Sequence, residues 1–107
     1  MKNIISGALV FLASCAAAQA QSWTGKASYY GGHGGMTCAH RSLPLGTHVR
    51  VTNVSNNRST VLVVTDRGPF IMGRIVDVSV SAAGVLGFRR AGLAQVTVEA
   101  VDRKSVV

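Results

Sequence analysis

The chain reads as a small, mostly β domain: a closed barrel of five or six strands with one short helix. Three observations predict it. Valine-rich segments alternate apolar and polar residues at the two-residue period of a strand, as in His48 to Val54 and Gln95 to Val101. Clusters of Gly, Pro, Asn and Ser break these runs at short intervals. Only one stretch, Ser79 to Gly87, carries helix signals, and 107 residues leave room for a single domain. With so many strands in so short a chain, closure into a barrel removes the exposed edges that would otherwise recruit other strands.

The first twenty residues stand apart from that pattern. Met1-Lys2-Asn3 is a short positive start, Ile4 to Leu12 is an apolar run, and Ala18-Gln19-Ala20 is a small-x-small cleavage site. Together they predict a secretory signal over residues 1–20, with the domain over 21–107. The apolar run is too short for a membrane span. A rival cut lies inside it, because Leu12-Ala13-Ser14-Cys15 resembles a bacterial lipobox, in which Cys15 becomes the lipidated N-terminus. The expected location is therefore the periplasm, or a membrane surface if Cys15 is lipidated. Either cut leaves no intrachain disulfide for Cys38, so the core must hold itself. Cys38 is read as a small buried hydrophobe, although His40 two residues on is the usual hint of a thiol nucleophile.

In chain order, Trp23 is expected to be linker and Lys26 to Tyr30 a first strand. Tyr29 and Tyr30 point to opposite sides of it, one filling the barrel and the other free to stack on a ligand. Gly31 to Arg41 is expected to be a loop, with four glycines around His33. No G-x-x-x-x-G-K follows a strand there, so no phosphate cradle is indicated. His33, Cys38 and His40 are spaced H-x4-C-x-H, which matches no common zinc arrangement; neither metal nor cofactor is expected. His40 is read as a polar group near the ligand or as a ring packed against the barrel. His48 to Val54 and Arg58 to Thr65 form a hairpin through Ser55-Asn56-Asn57, with Asn suited to positive φ. Arg74 to Val78 is a further strand, and the helix after it has Ser79 as N-cap and Gly87 at its end. Gln95 to Val101 is the last strand, and Arg103 to Val107 a tail.

The chemistry-bearing stretch is V-L-V-V-T-D-R-G-P-F, residues 61 to 70. A β-branched run fills a buried strand, and Gly68-Pro69 ends it, which leaves Asp66 where the sheet meets solvent. A strand end fixes a side chain while the loop beyond admits a ligand. Arg67 is expected either on substrate hydroxyls or holding the turn. Acids are scarce: eleven Lys and Arg oppose Asp66, Asp77, Glu99 and Asp102, for a net charge of +7. Such a surface favours polyanions, and an exported chain meets acidic wall polymers or anionic lipid, not nucleic acid.

These residues carry a resemblance. G-K-A-S-Y-Y-G at 25–31, A-H-R-S-L-P-L-G-T-H-V-R-V-T-N at 39–53, T-D-R-G-P-F at 65–70, G-R-I-V-D-V-S at 73–79 and A-A-G-V-L-G at 82–87 are similar to the rare lipoprotein A (RlpA) family. The resemblance covers Gly25 to about Val101 and implies a six-stranded double-psi β-barrel, related in fold to expansins and barwin-like proteins. It implies a peptidoglycan lytic transglycosylase, preferring glycan strands without stem peptides; a monomer is expected. By the same resemblance Asp66 and His40 are the catalytic pair, and Asp77 lies where expansin-like barrels keep an acidic residue beside the groove; Tyr29, Tyr30 and Arg67 complete the candidate substrate contacts. Asp77 is otherwise expected to cap the helix or bond a psi loop.

The reaction suits so few acids. A lytic transglycosylase protonates the glycosidic oxygen and then takes the proton of the sugar's own 6-hydroxyl, closing a 1,6-anhydro ring, so one carboxyl can act as acid and then as base. Ordinary glycosidases need two carboxyls at fixed separation. The chain departs from the family at one point: the connection G-G-H-G-G-M-T-C lacks the T-A-S-G-E or T-A-N-G-E insertion and its Glu. That departure makes an expansin-like or barwin-like glycan binder without cleavage the alternative.

Overall fold

The computed structural model describes residues 21–32 and 34–101. The signal and lipidation readings on residues 1–20, the ligand reading of His33 and the tail from 102 lie outside the described residues. Six strands and one helix follow in order: β1 (Ser22–Tyr30), β2 (Thr37–His40), β3 (His48–Asn53), β4 (Ser59–Asp66), β5 (Arg74–Ser79), α1 (Val80–Leu86) and β6 (Ala94–Val101). The strands close into a barrel in the order β1-β5-β2-β4-β3-β6. β1 pairs with β5, and β2 with β4, in parallel; the remaining neighbours are antiparallel. The mostly β barrel with one short helix is as the sequence predicts.

Two expectations need correction. The loop expected over Gly31 to Arg41 contains β2, four residues wedged between β4 and β5. Thr-Cys-Ala-His has no strand signal of its own; its two neighbours supply the ladder on both sides and so make it a strand. Trp23, expected as linker, lies within β1, in register with Val98 of β6.

Alternate residues of each strand fill the interior. Val49 and Val51, Leu62 and Val64, Val76 and Val78, and Val96 and Val98 are all at most 1% exposed. Each buried valine or leucine contributes roughly 1.5–3 kcal/mol by area removed from water. Gly25 lets β1 and β5 approach, since a side chain there would begin 2.7 Å from Ile75 Cγ2.

The barrel has two ends. Strand directions place Tyr30, Thr37, Asn53, Ser59, Ser79 and Ala94 at one, with α1 beside them. They place Ser22, His40, His48, Asp66, Arg74 and Val101 at the other. At the α1 end the Ser79 hydroxyl accepts from Ala82 N at 3.2 Å, and Gly87 closes the helix with φ 80°. The last helical carbonyl, on Leu86, accepts from Asn53 Nδ2 at 2.8 Å and Asn56 Nδ2 at 3.0 Å. The helix terminus is thereby tied to the β3–β4 turn, whose Asn57 takes φ 63° as its residue type allows.

Candidate active site

Asp66 would point into the barrel if β4 kept its alternation, because Leu62 and Val64 are interior. The ladder with β2 prevents this. Cys38 faces Val64, but its neighbour Ala39 faces Asp66, so Thr65 is an extra residue and the register shifts by one. A bulge of this kind re-aims the side chain that follows it. Asp66 therefore lands on the outer face, half-buried.

Three more residues share that row. Ala39 also pairs with Asp77 of β5, and Asp77 pairs with Ser28 of β1. Ser28, Asp77, Ala39 and Asp66 thus run side by side across four strands, with two carboxylates flanking a small alanine. Two inter-strand spacings put their backbones about 10 Å apart. No enclosed cavity forms on this face among the described residues.

Each carboxylate has its own surroundings. The Tyr30 hydroxyl donates to Asp66 Oδ2. Burial, and then the Asp66 carboxylate as acceptor and as charge, hold the Tyr30 phenol well above the usual tyrosine range, so it stays protonated as the donor. Asp77 Oδ1 accepts from the Ser28 hydroxyl and lies 3.8 Å from Arg74 Nη2, which itself donates to Ser28 Oγ. A second register shift, at Ile75, brings Arg74 onto the same face. Asp77 was expected beside the substrate, or else to cap α1 or bond a psi loop. Ser79 is the cap, and Asp77 belongs to the outer-face network because strand parity turns it outward.

The tyrosines separate as their alternation requires. Tyr30 reaches Asp66, whereas Tyr29 donates its hydroxyl to Arg89 O at 2.9 Å and sets its ring 6.1 Å from Phe88. Tyr29 packs against the core at the α1 end, away from the Asp66 row.

His40, expected as the partner of Asp66, stands in register with interior Val76 and is only 3% exposed. Its ring meets Trp23 edge-on, centroids 4.6 Å apart, and its Nδ1 accepts from the backbone N–H groups of Ser42 and Leu43 at 3.1 and 3.2 Å. Burial first, then the charges of Arg41 and Arg67, hold its pKa below the usual histidine value. Of the two readings of this ring, near the ligand or packed against the barrel, the structure shows the packed one: parity on β2 buries it, with its acceptor nitrogen committed to the turn at 41–43.

Arg67 takes the holding role of its two expected ones. Its Nη1 donates to His40 O at 3.2 Å and Leu43 O at 2.6 Å, fastening the turn after β2 to the residue beside Asp66. Cys38 is fully buried, and burial pushes its thiol up to about 12. It is a core side chain and not a nucleophile, since reactivity needs the thiolate.

Sequence reasoning missed Ser28, Arg74 and Trp23. Their signal is register rather than motif: each becomes legible only once the partner strand is known.

The model of the lytic transglycolase family matches residues 16–98. The chain belongs to this family. Within it the chain groups with RlpA. It is 56% identical over 68 residues to the "probable endolytic peptidoglycan transglycosylase RlpA" of Nostoc sp., a match covering 64% of this chain and 18% of that protein. It is 43% identical over 99 residues to the "endolytic peptidoglycan transglycosylase RlpA" of Pseudomonas aeruginosa, covering 79% of this chain and 29% of that protein. The chain thus spans well under half the length of these relatives. Among solved structures it resembles the expansin of Clavibacter michiganensis. The TM-score is 0.64 at 20% identity, over 78% of this chain and 52% of that one. A mutant of the same expansin in complex with cellohexaose is similar at TM-score 0.63 and 20% identity, over 77% and 51%. These likenesses fix the fold of this RlpA-type domain as the double-psi β-barrel.

Proposed function

We propose that this RlpA-type barrel cleaves peptidoglycan glycan strands endolytically, as a lytic transglycosylase that uses Asp66 alone as acid and base. The observation that carries this reading is the register shift that turns Asp66 out onto an open face. An open face accepts the middle of a polymer, as an endolytic cut requires.

In the first step the Asp66 carboxyl gives its proton to the glycosidic oxygen and the C1–O bond breaks. In the second, the resulting carboxylate takes the proton of the 6-hydroxyl as that oxygen bonds to C1. The ring closes as the 1,6-anhydro product, no water is consumed, and Asp66 ends protonated as it began. Tyr30 orients the carboxyl through its hydroxyl. Arg67 and His40 act through the backbone they hold, as positioning residues. Asp77 and Arg74 present polar groups to the neighbouring sugar on the same face, held together by the buried Ser28 hydroxyl between them. The composition of residues 1–20 supports export to the periplasm, or attachment to a membrane through Cys15, with the domain acting as a monomer on strands without stem peptides.

A binder without cleavage is favoured by one observation, the lack of any acid between Gly31 and Ala39. Wild-type and Asp66→Asn protein incubated with purified peptidoglycan separate the two. The proposed enzyme releases 1,6-anhydro-muropeptides, and the variant is slower by about 100-fold or more. Co-sedimentation with sacculi and no anhydro product from the wild type leaves the binder.

A further inference from the structure

Past Asp66 the β4–β5 loop holds three consecutive apolar side chains in water. Phe70, Ile71 and Met72 are 76%, 57% and 95% exposed. Domains ordinarily break up or cover such a run, and one left open beside a ligand face marks a contact. The loop is anchored on both sides. Arg67 holds its start to the turn after β2. Its end is fixed by Lys26 N donating to Gly73 O and by Arg74 N donating to Ile71 O, both at 3.0 Å.

Phe70 is also placed within the loop. Two carbons of its ring, Cε2 and Cδ2, lie 3.7 and 3.9 Å from where a side chain on Gly68 would begin. Gly68 has φ 124°, which a residue without Cβ adopts freely, and so it makes the turn that brings the ring alongside it. The ring has one edge toward Gly68 and lies four residues along the chain from the Asp66 carboxylate, with most of its surface open.

A pyranose ring offers just such a surface an apolar C–H face, and aromatic side chains take apolar faces at low entropic cost. An N-acetylated sugar adds a methyl group, for which Ile71 and the polarizable Met72 supply apolar surface. We propose that Phe70 is the platform of a sugar subsite next to Asp66, and that Ile71 and Met72 select N-acetylated amino sugars over plain glucose units. The inference rests on the glycan-cleaving reading of the same face for its choice of polymer.

The test separates binding from cleavage. Full-length Asp66→Asn protein is titrated calorimetrically with the N-acetylglucosamine hexamer and with cellohexaose. Adding Phe70→Ala in that background weakens the N-acetylated hexamer about tenfold or more, as loss of a central aromatic anchor does, and Phe70→Trp keeps the affinity. Met72→Ser weakens the N-acetylated hexamer and leaves cellohexaose unchanged. Full affinity in the Phe70→Ala protein, or an equal loss for both hexamers with Met72→Ser, overturns the subsite. Absence of anhydro product from the wild type overturns the cleavage reading instead, and the titrations still decide the subsite.

Discussion

The two ends of the barrel are built from similar residues and treat them in opposite ways. At the α1 end Leu86 and Phe88 are at most 2% exposed, Tyr29 packs on Phe88, and the helix terminus is held by Asn53 and Asn56, while the exposed apolar side chains, Val54, Val85 and Leu93, stand apart along the chain. At the Asp66 end the interior is closed by the Trp23–His40 pair, yet Leu45, Phe70, Ile71 and Met72 remain in water above it. The α1 end buries its ring and its helix leucine and leaves only separated apolar side chains exposed. The Asp66 end keeps a consecutive apolar run in water and uses hydrogen bonds to backbone carbonyls to hold the candidate site in shape.

The contrast can be broken most sharply from the α1 end. Phe88→Ala removes a ring that is 2% exposed, and is expected to destabilise the domain by about 3–5 kcal/mol. Urea denaturation measures the loss, while anhydro-product release per folded molecule stays unchanged. A matching loss of rate at temperatures where the variant is folded would mean that the ends are coupled.

Arg67→Ala tests the opposite end. It removes two hydrogen bonds to His40 O and Leu43 O, and is expected to lower the rate of product release roughly tenfold through loss of positioning. Stability changes by about 1–2 kcal/mol. The rate and a urea titration on the same preparation check the pair, and a fall in stability without a fall in rate contradicts the positioning role.

The smallest effect is a pH dependence. His40 is held neutral in the folded barrel, with its pKa below the unfolded value of about 6.5. On acidification the unfolded chain takes up a proton that the folded one refuses, so stability is fully present above about pH 6.5 and falls as pH drops from there toward the folded pKa. Thermal unfolding between neutral and mildly acid pH reads this slope, and it flattens in His40→Gln.

Much of this was legible in sequence, and the parts that were not share one cause. β3, β4, β5 and β6 were visible because valine alternation is local, and so were the helix caps Ser79 and Gly87 and the Asn turn, whose chemistry lies within a few residues. β2 was not, because four residues without strand propensity became a strand only between β4 and β5. The motif T-D-R-G-P-F singled out Asp66, but the bulge at Thr65 that turns it outward exists only relative to Cys38 and Ala39. His40 was left between two readings for the same reason, since inside and outside on β2 are set by pairing. Tyr30 and Asp66 are 36 residues apart, Ser28 and Asp77 are 49, and no local pattern joins them.

The pairing of β6 has a consequence for how the barrel is made. Ala94–Val101 hydrogen-bonds to β1 along Ser22–Ala27 and to β3 along His48–Asn53, so the ring is sealed by the last of its own six strands to be made. Until it arrives, β1 and β3 each offer an unpaired edge, and the contact of Ser22 with Glu99 must be found across most of the chain's length. Assembly of this kind is slow and non-local, and the waiting state is open to strand addition from other molecules. A chain cut short of Ala94 would therefore aggregate through those two edges and would not persist as a weakened barrel.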